Sequence, residues 1–152
     1  MGTQLPTGAR LMDVYQRLFE AYGPQQWWPG DGPFEVISGA ILTQSAAWTN
    51  VIMALAKMRG AGCWSFEAVH ETPEPELAEL VRSSGYFNAK ARKLKAFAAH
   101  VIVNYQGDLD RLFNQQTVPM REELLSIHGI GEETADDIMV YAAEKPSFVI
   151  DT

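Results

Sequence analysis

The sequence predicts an all-α protein with one core. Apolar residues recur at helical spacing almost throughout, no run shows the strict alternation of a half-buried strand, and glycine and proline break the chain between these stretches. At 152 residues, 47% hydrophobic and 20% charged, the chain can bury one real core and is too short for two ordinary domains.

A first helix is expected over about 9–21, with Leu11, Val14, Tyr15, Leu18 and Phe19 as its apolar stripe and Tyr22-Gly23-Pro24 as its end. Pro33 opens a second, Phe34 to Thr43, which is apolar on all sides and so suits the centre of the core. Trp48 to Met58 follows, closed by Arg59-Gly60-Ala61-Gly62, and then a short helix over 65–69 capped by Ser65. Pro73 and Pro75 interrupt the chain before a helix over 75–82. A long helix over 88–105, capped by Asn88, and a short one over 109–113 come next, with Gly85 and Gly107 supplying turns. The last pair, 121–127 and 132–143, is joined by His128-Gly129-Ile130-Gly131.

Composition narrows the function classes. No stretch approaches the roughly 18 apolar residues of a membrane span, and the N-terminus lacks the apolar run of a secretion signal, so a soluble, cytoplasmic protein is expected. The single cysteine, Cys63, cannot form an internal disulfide, and His70, His100 and His128 lack metal-ligand spacing, so no metal site is expected. A net charge of -7 argues weakly against nucleic-acid binding. Yet Leu80 to Gly107 contains no acid and carries Arg82, Lys90, Arg92, Lys93 and Lys95, the footprint of a basic face or of a solvated helix.

The hairpin is the sharpest motif. Gly129 and Gly131 let the chain turn tightly and let its backbone approach a ligand, while the free N–H groups opening the next helix favour an anion such as a DNA phosphate. Ile130 is expected to anchor the bend in the core.

The wider pattern, L-L-x-I-x-G-I-G-x-x-T-A-x-x-I, then Tyr141-Ala142, then Pro146-x-Phe148-Val149-Ile150-Asp151, resembles the endonuclease III-like helix-hairpin-helix DNA glycosylases. Pro33-Phe34-Glu35, Leu42-Thr43-Gln44 and Gly85-Tyr86-Phe87-Asn88-x-Lys90-Ala91 extend the likeness, which spans about Trp27 to Thr152. Trp27-Trp28-Pro29 and Ala40-Ile41-Leu42-Thr43-Gln44 are most similar to the 3-methyladenine branch. The resemblance implies the helical-barrel domain of the endonuclease III-like fold, truncated at the C-terminus. Residues 1–24 would form an N-terminal helix packing with C-terminal helices absent from the sequence, and 25–152 the helix-hairpin-helix domain, with its hairpin at about 121–143.

The resemblance also implies roles. Asp151 matches the carboxylate that stabilises the developing sugar cation or activates water. The target base must be flipped into a pocket, where Trp27 and Trp48 are candidate stacking walls, with core packing as the alternative. An alkylated purine is cationic and attracts an indole face. Gln44 matches the residue that enters the gap left by the flipped base, and Tyr86 or Phe87 the wedge on the other strand. Gly129, Gly131, Thr134, Asn88, Lys90, Arg92 and Lys93 complete the expected DNA contacts.

Relatives that also cut the backbone carry a lysine where this chain has Glu133, and glutamate cannot form a Schiff base. The expectation is therefore a monofunctional, monomeric glycosylase acting on a damaged, alkylated purine in double-stranded DNA. No cofactor is expected within this chain; an iron-sulfur cluster would belong to a C-terminal segment absent from it. Two alternatives stay open: an endonuclease III-like glycosylase for oxidised pyrimidines, and a DNA-binding module without catalysis.

Overall fold

In a computed structural model, Pro33 supplies the first turn of the helix around which the others pack, and the structure describes residues 7–151. The ends of the expected 1–24 and 25–152 segments lie outside the described residues. Helix α1 spans Thr7–Tyr22 and none of its residues is buried: Leu11, Val14, Tyr15, Leu18 and Phe19 of its stripe stay about half exposed, with Tyr15, Leu18 and Phe19 lining a hollow against Trp27 and Tyr141. Helix α2, Pro33–Leu42, is buried continuously from Val36 to Leu42, as its all-round apolar composition requires.

The remaining helices enclose α2 or one another: α3 Trp48–Gly60, α4 Phe66–Glu71, α5 Glu74–Leu80, α6 Phe87–Tyr105, α7 Leu109–Phe113, α8 Thr117–Ser126 and α9 Glu132–Asp137. A 3-10 turn at Arg82–Ser84 links α5 to α6, and α9 runs on as a π-helical turn over Ile138–Ala142. No strand occurs among the described residues. No helix among them is long and apolar enough to cross a membrane. Ile37 and Ile41 of α2, Leu94, Phe97 and Val101 of α6, and Ile138 and Met139 of the π turn form one apolar centre. Phe66 lies 5.0 Å from Phe97 by ring centroid and brings α4 against α6.

Several boundaries and one cap differ from expectation. Ser65 accepts from the Ala68 amide at 3.1 Å, as a capping serine should. Asn88 does not cap α6: it lies exposed inside the first turn, and the cap position is Tyr86, whose backbone is left-handed at φ 44°. Helix α8 begins at Thr117, because Pro119 falls in the first turn, where a missing N–H leaves no helical bond unmade.

The basic stretch is largely consumed inside the fold. Lys95 Nζ donates to the carbonyls of His70 and Thr72, both at 2.6 Å, closing the C-terminal end of α4. Arg82 pairs with Glu79, and Arg92 lies 3.9 Å from Glu74. Lys90, expected to contact phosphate, is 1% exposed and cannot do so. Its Nζ donates to Leu42 O at 2.8 Å and to Ser84 O, joining the last carbonyl of α2 to that of the 3-10 turn. Burial, with a smaller push from Lys93, lowers its pKa to about 8.

Lys90→Met should leave two buried carbonyls without donors and lower stability by about 2 kcal/mol. Since the folded-state pKa is depressed from 10.5 to about 8, the unfolded chain holds this proton longer, and Lys90 adds stability as pH rises through that window. Chemical denaturation of both proteins should show the gap between them widening from pH 8 to pH 10.5.

Candidate nucleic-acid interface and base-sized cleft

Gln44, two residues past the end of the buried helix α2, turns its side chain onto the hairpin. Its Nε2 donates to Gly129 O at 3.1 Å and to Thr134 Oγ1 at 2.9 Å, and its Oε1 accepts from Lys93 Nζ. Thr134 is buried and serves this junction. Gly129 has φ +86°, and a Cβ there would run into the Lys93 side chain at Cγ. Both the left-handed backbone and the overlying lysine therefore demand glycine. Ile130 is buried at the tip, the anchor its position suggested.

A groove of 740 Å³ runs along this hairpin, lined by Gln44, Lys93, Arg121, Gly129, Gly131 and Phe148 among others. Arg121 spans from α8 to α9: Nε and Nη2 donate to Asp136 Oδ1 and Oδ2 at 2.7 and 2.9 Å. Ser147 Oγ donates to the same carboxylate at 2.6 Å, tying the segment that ends in Asp151 to α9. Hydrogen bonding from Arg121 holds the Asp136 carboxyl below its usual range.

On the other side of Gln44 lies a cleft of 640 Å³ with aromatic walls and an acidic rim. Trp27, Trp28, Trp48 and Tyr141 line it, together with Glu133, Asp137 and Asp151. Trp28 stands at the centre of the aromatic group, its ring centroid 5.2 Å from Trp27, 5.4 Å from Trp48 edge to face, and 5.6 Å from Tyr141. Gly39 of α2 makes room for this packing: a Cβ there would sit 3.2 Å from Trp28 Nε1 and 3.4 Å from Trp48. Trp27 is 52% exposed, so one of its surfaces is open to a stacking partner.

The acids differ in environment. Asp151 is exposed at the rim. Glu133 is pushed above its ordinary pKa by burial and by the nearby Asp151 carboxylate. Asp137 is 7% exposed, and burial, Glu133 and Asp151 together raise it to about 6.

The structure thus brings Trp27, Trp48, Gln44 and Asp151 to one cleft, and Gln44, Lys93, Gly129, Gly131 and Thr134 to the adjoining groove. Tyr86, Phe87, Asn88 and Arg92 sit near the start of α6 and line neither. Tyr86 is 75% exposed there, while Phe87 packs under the Arg82 guanidinium at 4.4 Å. Sequence reasoning assigned no role to Trp28, Tyr141 or Asp137; the paired indoles and the spacing of Glu133, Asp137 and Tyr141 on one helical face were the available signals. No group of three or more His, Cys, Asp or Glu among the described residues is arranged to hold a metal ion. Cys63 is buried in the core, and one cysteine cannot supply the four thiolates of an iron-sulfur cluster.

Helix, Gly-x-Gly turn and helix, set against a buried central helix, define the endonuclease III-like helix-hairpin-helix architecture. The chain matches the sequence model of the HhH-GPD superfamily base excision DNA repair proteins over residues 38–152, and it belongs to that superfamily. It is 39% identical over 143 residues to a protein of Methanocaldococcus jannaschii named "Putative DNA repair glycosylase", covering 93% of this chain and 64% of that one. Endonuclease III of Thermotoga maritima is 27% identical over 121 residues, with 79% and 52% coverage. The chain therefore spans about half to two thirds of the length of these relatives. Among solved structures, the Helicobacter pylori 3-methyladenine DNA glycosylase MagIII bound to 1,N6-ethenoadenine superposes with TM-score 0.80 at 29% identity, covering 97% of this chain and 69% of that one. A non-covalent complex of endonuclease III with DNA gives TM-score 0.76 at 21% identity, a likeness of fold.

Two outcomes test the geometry. Gly129→Ala should lower stability by about 1–2 kcal/mol from the left-handed backbone alone, plus a steric part from Lys93. Adding Lys93→Ala should recover only the steric part, visible as coupling in a double-mutant cycle of thermal melts. Asp137 has its folded pKa raised from 3.8 to about 6, so its contribution is most favourable below pH 3.8 and is lost as pH rises through 6. Asp137→Asn should therefore gain about 2 kcal/mol at pH 7.5 relative to its effect at pH 4, read from denaturation midpoints.

Proposed function

We propose that this chain forms the base-binding and catalytic part of a monofunctional DNA N-glycosylase. In this reading it hydrolyses the glycosidic bond of an alkylated purine flipped out of double-stranded DNA. The observation that carries the reading is the cleft itself: indole walls, open on one side, with the Asp151 carboxylate at the rim and Glu133 beside it. A departing purine leaves a cation-like sugar, which a fixed carboxylate stabilises electrostatically while water completes the hydrolysis. An alkylated ring already carries positive charge, so it needs no acid to leave and gains from cation-π contact with tryptophan.

Glu133 stands where a nucleophilic amine would be needed for strand cleavage, and a carboxylate cannot form a Schiff base. The structural likeness to a 3-methyladenine glycosylase holding a modified adenine supports an alkylpurine over an oxidised pyrimidine. In the hairpin groove, backbone N–H groups and Lys93 would meet phosphates, beside the acids Glu132, Glu133 and the Arg121-paired Asp136 that also line it.

Single-turnover release of bases from methylated duplex DNA should fall at least about 100-fold in Asp151→Asn. Borohydride should trap no covalent protein–DNA adduct. Release of oxidised pyrimidines without methylpurines would replace the substrate assignment, and salt-sensitive DNA binding without any release would leave a binding module.

A further inference from the structure

Asp136 and Asp137 are neighbours in sequence and opposites in environment. Asp136 accepts two bonds from Arg121 and one from Ser147. Asp137 is 7% exposed and lines the aromatic cleft, and its carboxyl makes no side-chain hydrogen bond among the described residues but keeps contact with the solvent of the cleft. A buried carboxylate is ordinarily paired, because leaving an ion without partners in a poorly solvated site is expensive. The groups facing it offer no compensation. Glu133 and Tyr141 come from its own helical run, Asp151 from the terminal segment, and Trp28 from the loop before α2; no Lys, Arg or His lines the cleft. A positive partner entering the cleft can reach this carboxylate, and the walls restrict what that partner can be. Trp27, Trp28, Trp48 and Tyr141 present aromatic rings, which accept a flat ring and favour a cationic one.

We propose that Asp137 is a specificity-determining residue of this cleft, its carboxylate selecting a purine ring that carries positive charge over the same ring in neutral form. The proposal rests on the glycosylase reading for its substrate and adds to it the group that discriminates methylated from normal purine. Its energetic role differs from that of Asp151. When the glycosidic bond breaks, its electron pair passes to the ring and cancels the ring charge, so attraction to Asp137 is greatest before cleavage. Asp137 therefore contributes to capture, and Asp151, beside the sugar, to bond breaking.

Tryptophan-fluorescence titration with two nucleosides tests this directly: 1-methyladenosine, whose methylated ring is cationic at pH 7.5, and adenosine, its neutral counterpart. The full chain should prefer 1-methyladenosine, and Asp137→Asn should reduce that preference roughly tenfold, about 1.4 kcal/mol, while affinity for adenosine is kept. The unaltered protein supplies a second readout that needs no folded variant: its preference should fall as pH drops through about 6, where the Asp137 carboxyl takes up a proton. Absence of any preference in the unaltered protein, or a preference that survives in Asp137→Asn or stays flat with pH, overturns the proposal. Base release from methylated DNA is followed in parallel. A preference that depends on Asp137 without base release would uphold the selectivity and remove the glycosylase reading. Base release with a preference indifferent to Asp137 would do the reverse.

Discussion

One side-chain amide holds the arrangement together. Gln44, two residues past the end of the buried helix, donates to Gly129 O and Thr134 Oγ1 and accepts from Lys93, so α2, α6 and the hairpin meet at a single group. The partners on the hairpin lie 85 and 90 residues away in sequence, and each bond closes a long loop. Because α2 is fixed by its own burial, these bonds transmit its position to the hairpin. The Arg121–Asp136–Ser147 contact then carries it to the segment ending in Asp151. Gln44 also forms a wall common to the groove and the cleft. Any other use of this amide must break its bonds to the hairpin, so a change at Gln44 and a change in hairpin geometry are coupled.

What was legible in the sequence was what local chemistry decides. Helical periodicity, Pro33 at a first turn, Ser65 as a cap and the Gly129-Ile130-Gly131 bend all depend on residues a few positions apart. Lys90 shows where this fails. In sequence it is one of five cations in a run without acids, with nothing to mark it as different from Lys93. Only the arrival of Leu42 O and Ser84 O at the same point makes it a buried cross-link, while Lys93, nearly one turn further along α6, reaches the groove. The same holds for the indoles. Trp27 and Trp48 are adjacent to the motifs that suggested them, but the centre of the cluster is Trp28, which the room left at Gly39 admits.

The acids of α9 carry this contrast into function. Four of the six residues of that helix are Glu or Asp, and two of them, Glu132 and Glu133, fall in the first turn, where the helix dipole favours an acid. Folding divides them. Glu132 is exposed, Asp136 is neutralised by Arg121, and Glu133 and Asp137, one turn apart, face the cleft opposite Asp151. Three carboxyls share a space with no basic side chain, and the raised pKa values of Glu133 and Asp137 express their mutual repulsion as well as their burial. That repulsion opposes folding, and α9 would be more stable with apolar residues in the same places. A positive charge entering between the aromatic walls would relieve that repulsion. On the proposed alkylpurine reading, three carboxyls set among aromatic walls suit a reaction whose positive charge begins on the ring and moves to the sugar.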